Sequence, residues 1–208
     1  MIRTTILLAS IAFAAAPSFA EGDAAAGAAS YATCVACHGD NGQGNKAMSA
    51  PRINHLEQVY VAAQLNKFRS GVRGGQGATP TAMTMAPMAA VLADDAAVAN
   101  VAAYIAGLES PASAASVEGD ATMGADYYNQ FCGACHGAGA VGNPALNSPR
   151  LAGGDDWYLE AQLLAFRSGA RGAHPDDKTG KQMRAMAMIL PDEQAVRDVV
   201  AYLHGLGE

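Results

Sequence analysis

The residues best suited to chemistry are four cysteines and two histidines, placed as Cys34-Val35-Ala36-Cys37-His38 and Cys132-Gly133-Ala134-Cys135-His136. Four cysteines in an exported chain would ordinarily form two disulfides. An isolated C-x-x-C could be a redox dithiol or half of a zinc site. A histidine directly after the second thiol instead matches c-type haem attachment, in which two thioethers hold the macrocycle and the adjacent imidazole lies under the iron. Two such runs in one chain make that reading strong. No other run resembles a nucleophile, a metal site or a phosphate loop, and the Gly-rich stretches read as loop punctuation.

An axial histidine leaves the opposite side of the iron to be filled, and what fills it decides function. Methionine gives a closed, relatively high-potential carrier. Bis-histidine lowers the potential, and an empty position invites ligand binding or peroxide chemistry. Of the five histidines, His55, His174 and His204 have no counterpart between the two halves of the chain, which disfavours bis-histidine ligation. Met85 and Met88 before Leu92 do recur, as Met183 and Met186 before Leu190; Met83 and Met188 do not. The residues alone leave Met85 against Met88, and Met183 against Met186, open. One of each pair is expected to be an ordinary flexible core filler. Both pairs are expected on a loop before the last helix of each half.

That correspondence is part of a wider repeat. Cys34 and Cys132 are 98 residues apart, and so are His38 and His136, Pro51-Arg52 and Pro149-Arg150, Gln64 and Gln162, and Tyr104 and Tyr202. Phe68-Arg69-Ser70-Gly71 recurs as Phe166-Arg167-Ser168-Gly169, and Arg73-Gly74 as Arg171-Gly172. No gap is needed to align the halves. The chain therefore reads as a duplicated unit, with a small-residue linker at 111–119 between units at 21–110 and 120–208. Helices are expected over Asp23–Cys34, Glu57–Arg69 and Asp94–Leu108, and over Asp120–Cys132, Asp156–Arg167 and Asp192–Leu206. The intervening Gly-, Pro- and Asn-rich segments read as loops. Strand patterns are nearly absent, so the expected class is all-α, with a covalent haem supplementing a small apolar core.

Residues 1–20 look like a secretory signal: Arg3, an apolar run over Ile6–Ala16, and a Ser18-Phe19-Ala20 cleavage site. The run is too short to span a bilayer, which takes about 20 residues. A net charge of −6, or −7 once Arg3 is removed, argues against nucleic acid as a partner.

On the two C-x-x-C-H motifs, Ser148-Pro149-Arg150-Leu151-Ala152-Gly153, the Gln-x-x-x-Phe-Arg-Ser-Gly-x-Arg-Gly segments and Met-x6-Leu before a helix ending Tyr-x-x-Gly-Leu, the sequence resembles the dihaem cytochrome c4 family over residues 21–208. The resemblance implies two tandem class I cytochrome c domains, each wrapped around one covalent haem held by Cys34 and Cys37 or by Cys132 and Cys135. It implies axial ligands His38 with Met85 and His136 with Met183. It implies that the carbonyls of Pro51 and Pro149 accept a hydrogen bond from those histidines. The first unit departs from the pattern, with Ile53-Asn54-His55 where the second has Leu-Ala-Gly. Two roles stay open for Arg69, Arg73, Arg167 and Arg171: solvated helix-end cations or forked partners of haem propionates.

The function this implies is a periplasmic electron carrier, without substrate chemistry, between a quinol-oxidising complex and an acceptor such as a terminal oxidase. The alternatives are a haem subunit of a dehydrogenase complex and, further off, a dihaem peroxidase.

Overall fold

The computed structural model describes residues 22–207; the signal-sequence reading falls outside them. Among these residues the chain is helical, with only two isolated β-bridges, Asn45 to Ala50 and Asn143 to Ser148. The first unit runs α1 (Ala24–Tyr31), α2 (Val35–His38), α3 (Gln58–Arg69), α4 (Pro80–Ala90) and α5 (Asp95–Ala106). The second runs α6 (Ala121–Tyr127), α7 (Gly133–His136), α8 (Asp156–Ser168), α9 (Lys178–Ala187) and α10 (Glu193–Gly205).

Aspartates start the terminal helices of each unit. Asp23 and Asp120 accept from the amides of Ala25 and Thr122 at 2.9 and 2.8 Å. Asp94 and Asp192 accept from Ala97 and Ala195 at 2.8 and 2.9 Å. Each satisfies an otherwise orphaned N–H and complements the helix dipole. In α5 the apolar stripe Val98, Val101, Ala102 and Ile105 is buried against α1 and α3, with Leu65 and Phe68 across from it. In α10 the stripe is Val196, Val199, Val200 and Leu203. The crossing of first and last helix is close. A Cβ on Gly27 would meet the Asn100 carbonyl at 2.0 Å, and one on Gly124 the Asp198 carbonyl at 1.9 Å.

Three features differ from the sequence reading. First, the segments carrying the methionines are helices, α4 and α9, not loops. Thr79 caps α4, with Pro80 at the first helical position where its missing N–H costs nothing. Second, the repeat is not gapless. The helix before the haem motif pairs at 97 rather than 98 residues: Asp23 with Asp120, Gly27 with Gly124, Tyr31 with Tyr128. The second unit takes up the extra residue in a π turn, Tyr128–Cys132. Third, the segment between the units is fastened. Ser116 donates its amide and, at 2.7 Å, its hydroxyl to Asp156, and Val117 its amide at 2.7 Å. Ser113 donates to Asp155 at 2.7 Å, and its carbonyl lies 3.0 Å from His204 Nε2. No single described helix is long and apolar enough to cross a membrane.

Candidate functional site: two histidine pockets and the seam between them

Each C-x-x-C-H run ends in a short helix that points its histidine inward. His38 and His136 are buried, 8% and 4% exposed. Their Nδ1 atoms lie 2.8 Å from the carbonyl of Pro51 and 2.9 Å from that of Pro149. A carbonyl can only accept, so Nδ1 carries the proton. Burial lowers the pKa of both rings, against the carbonyl bond that raises it, so the neutral form is favoured. A neutral ring protonated at Nδ1 has its lone pair on Nε2, the state required of a metal-ligating histidine.

The carbonyls reach the histidines because the chain folds back tightly. Gly44 and Gly142 adopt φ of +82° and +87°, and a Cβ on either would come within 2.5 Å of Arg52 N or 2.6 Å of Arg150 N. Their amides donate to the carbonyls of His38 and His136 at 2.9 and 2.8 Å. Tyr31 and Tyr128 close the other side, each donating its hydroxyl at 2.7 Å to the carbonyl of Gly39 or Gly137 just past the histidine. The sequence reading passed over these residues. The glycines recur at 98 with the asparagine that follows them; the tyrosines recur only once the offset is allowed to fall to 97.

No disulfide joins the four cysteines among the described residues. Burial, then Cys37, pushes the Cys34 thiol up, and burial, then Cys135, pushes that of Cys132 to about 11. Neither shift is the lowering that activates a reactive thiol. Cys34 and Met85 border the same core. Met183 and Met186 are half-buried, Met88 is 39% exposed, and Met83 and Met188 stand out in solvent.

The repeated arginines divide into two kinds. Arg69 donates to the Ala93 carbonyl at 3.2 Å and pairs with exposed Asp95 at 2.9 Å. Arg167 donates to the carbonyls of Ala187 and Leu190. These two tie down the turn that follows each methionine helix. Arg73 and Arg171 instead cross the seam between the units. Arg73 donates at 2.8 Å to Gln64 in its own unit, and at 2.8 and 3.0 Å to Tyr158 and Gln162 of the other. Arg171 mirrors it, reaching Gln162 at 2.8 Å and Tyr60 and Gln64 at 3.0 Å. Each guanidinium lies 4.5 Å over a phenyl ring of its own unit, Phe68 or Phe166.

The same two-fold relation governs the rest of the seam. Arg52 N donates to Asp155 at 2.7 Å and Arg150 N to Glu57 at 3.1 Å, and Glu57 and Asp155 are themselves repeat counterparts. Among the described residues neither Arg73 nor Arg171 is hydrogen-bonded to a carboxylate, and Arg73 Nε is buried without a partner. Asp177 acts on Arg171 through space without a hydrogen bond to it.

The cytochrome c family model matches residues 24–109 and 121–207, one match for each unit. The chain belongs to the cytochrome c family. Within it the kinship is to dihaem cytochrome c4. Cytochrome c4 of Azotobacter vinelandii is 30% identical over 196 residues, covering 90% of each chain. The thiosulfate dehydrogenase electron acceptor of Stutzerimonas stutzeri (strain A1501) is 33% identical over 185 residues, 84% of this chain and 79% of that one. The crystal structure of reduced recombinant cytochrome c4 from Pseudomonas stutzeri superposes with a TM-score of 0.68 at 26% identity, covering 88% of this chain and 98% of that one. Two tandem cytochrome c domains imply two covalent haem c groups. The cytochrome's own features fit such groups: neutral imidazoles with the lone pair on Nε2, and two seam guanidiniums with no carboxylate hydrogen-bonded to them.

Proposed function

We propose that this protein is a periplasmic dihaem electron carrier that performs no substrate chemistry. The observation that carries the reading is the twice-built histidine pocket, with each imidazole held at Nδ1 by a proline carbonyl. Cys34 and Cys37 bind one haem and Cys132 and Cys135 the other; His38 with Met85, and His136 with Met183, are the axial ligands. The bound haems supply a one-electron iron couple each. The chain's residues hold that couple in place. The Pro51 and Pro149 carbonyls fix ring orientation and raise imidazole basicity, while Arg73 and Arg171 offer forked donors to haem propionates at the seam.

The donor we propose is a quinol-oxidising complex and the acceptor a terminal oxidase. A second reading has specific support: a relative named as the electron acceptor of thiosulfate dehydrogenase favours electron uptake from a dehydrogenase. Membrane fractions and purified dehydrogenase, offered separately as reductants, separate the two. The carrier reading itself is tested with carbon monoxide. With both irons closed by methionine, the reduced protein binds it poorly at neutral pH, and rapid stoichiometric binding at either haem would point to an enzyme. Haem that resists acid–organic extraction until both C-x-x-C pairs are replaced by alanine checks the attachment.

A further inference from the structure

The two methionine helices are equivalent in the repeat but are not held alike. In α4 the N-cap is Thr79, whose hydroxyl accepts from Ala82 N at 3.3 Å and lies 3.2 Å from Thr81, all on one segment of the first unit. The counterpart 98 residues on is Asp177, the N-cap of α9. Its Oδ1 accepts from Gly180 N at 2.9 Å and also from Lys67 Nζ at 2.6 Å. Lys67 donates as well to Thr179 Oγ1 at 2.6 Å. Lys67 belongs to α3 of the first unit, and its counterpart is Ala165, which has nothing to donate.

The pair is far from an ordinary surface contact. The Asp177 side chain is 3% exposed and that of Lys67 21%. A solvated ion pair is worth little, but a desolvated, charge-assisted pair that also completes a helix cap fixes geometry. Lys67 stands one turn beyond Gln64 on the helix that supplies the seam, and its carbonyl accepts from Arg73 N at 2.9 Å. The far end of α9 is tied within its own unit, where Arg167 donates to the Ala187 carbonyl at 3.2 Å. So α9 is gripped at its start by the first unit and at its end by the second. Its ten residues are too short to bend much between those grips, and Met183 lies between them.

We propose that Lys67 is a positioning residue for Met183, so that docking of the first unit sets the axial ligation of the second iron. This rests on the reading of Met183 as that ligand. This route to an axial methionine serves the second iron alone, because α4 has no matching tie to the second unit among the described contacts. The second haem should therefore feel changes at the seam that the first does not.

The test uses the holoprotein with both haems, whose two voltammetric waves are assigned by Met85→Ala and Met183→Ala. Lys67→Ala is expected to lower the potential of the second haem and weaken its methionine–iron charge-transfer band, leaving the first haem's wave and band in place. Lys67→Arg, which keeps charge and reach, restores both. If Lys67→Ala leaves the second haem untouched while Met183→Ala abolishes its band, the ligand reading stands and the positioning role is overturned. A shift of both haems together would mark Lys67 as a general structural residue and overturn it too. If Met183→Ala spares the band, the ligand reading falls and the proposal with it.

Discussion

At the scale of single residues, the two histidines share one hydrogen-bonded setting. Proline carbonyls hold His38 and His136 with Nδ1 protonated, which leaves the Nε2 lone pair for a metal. Met85 and Met183 are the axial ligands we propose, and position on the helix is where they differ from Met88 and Met186. Met85 and Met88 are three residues apart in α4, as Met183 and Met186 are in α9, so each pair shares a face broadly but not a height. Met85 packs against the first core while Met88 is 39% exposed. Met183→Ala should open the second haem and lower its potential, since the thioether favours the ferrous state. Met186→Ala should leave ligation intact. Being half-buried, Met186 should cost less than the ~2–5 kcal/mol of a fully buried methionine. The ferric methionine–iron band, followed in each variant alongside chemical unfolding, decides between them; loss of the band with Met186→Ala and its survival with Met183→Ala reverses the assignment.

At the scale of elements, the crossing of α1 with α5, and of α6 with α10, anchors each unit. Replacing glycine by alanine inside a helix normally helps by about 1 kcal/mol. At Gly27 the sign inverts, because the new Cβ would stand 2.0 Å from the Asn100 carbonyl and backbone would have to move. Gly27→Ala and Gly124→Ala should each destabilise by about 1–3 kcal/mol, the usual cost of overpacking, read as a lowered denaturant midpoint with unchanged slope. Helices with an apolar stripe were legible in the sequence, and α3, α5, α8 and α10 begin and end within a few residues of where periodicity and Ser-Gly stops place them. Helices α4 and α9 were not, because Pro80, Thr79 and Gly180 look like loop chemistry in one dimension and act as caps and first-turn residues in three. The cysteines and histidines could be read from the motif they form twice, and the proline partners from the family resemblance. Gly44 and Gly142 also recur, but their work is to let backbone approach backbone, which spacing does not record, and Tyr31 and Tyr128 recur only at an offset of 97.

At the scale of the whole molecule, the seam holds most of what distinguishes one unit from the other. His55 occupies the place that Gly153 holds in the repeat, near Gly154, whose added Cβ would come 3.1 Å from His55 Nε2. Burial, then the charges of Arg52 and Arg150, pull its pKa from 6.5 to about 3. A folded value below the unfolded one means the unfolded chain binds the proton first. The resulting stability is fully present above pH 6.5 and is lost progressively as pH falls toward 3. His55→Gln should flatten the fall of melting temperature across that window, while leaving the plateau above it nearly level. An unchanged acid slope would show that His55 does not govern it. Asp177 works lower on the scale. Burial raises its pKa, but the Lys67 and Gly180 bonds bring it below 3.8, so its contribution is present above 3.8 and fades only as pH drops through the depressed value.

The seam's symmetry carries a historical consequence. Tyr60 meets Arg171 as Tyr158 meets Arg73, and Glu57 meets Arg150 N as Asp155 meets Arg52 N. Surfaces in which residue i touches j and j touches i are those that two copies of one chain make when they self-associate. Covalent fusion of such a pair makes one copy permanently left and the other permanently right. Only after that can a lysine be kept on one side with no twin, or a histidine replace a glycine in one copy, without the same change appearing where it would do harm. Lys67, Asp177 and His55 are divergences of this kind, available to a tandem protein and closed to a homodimer.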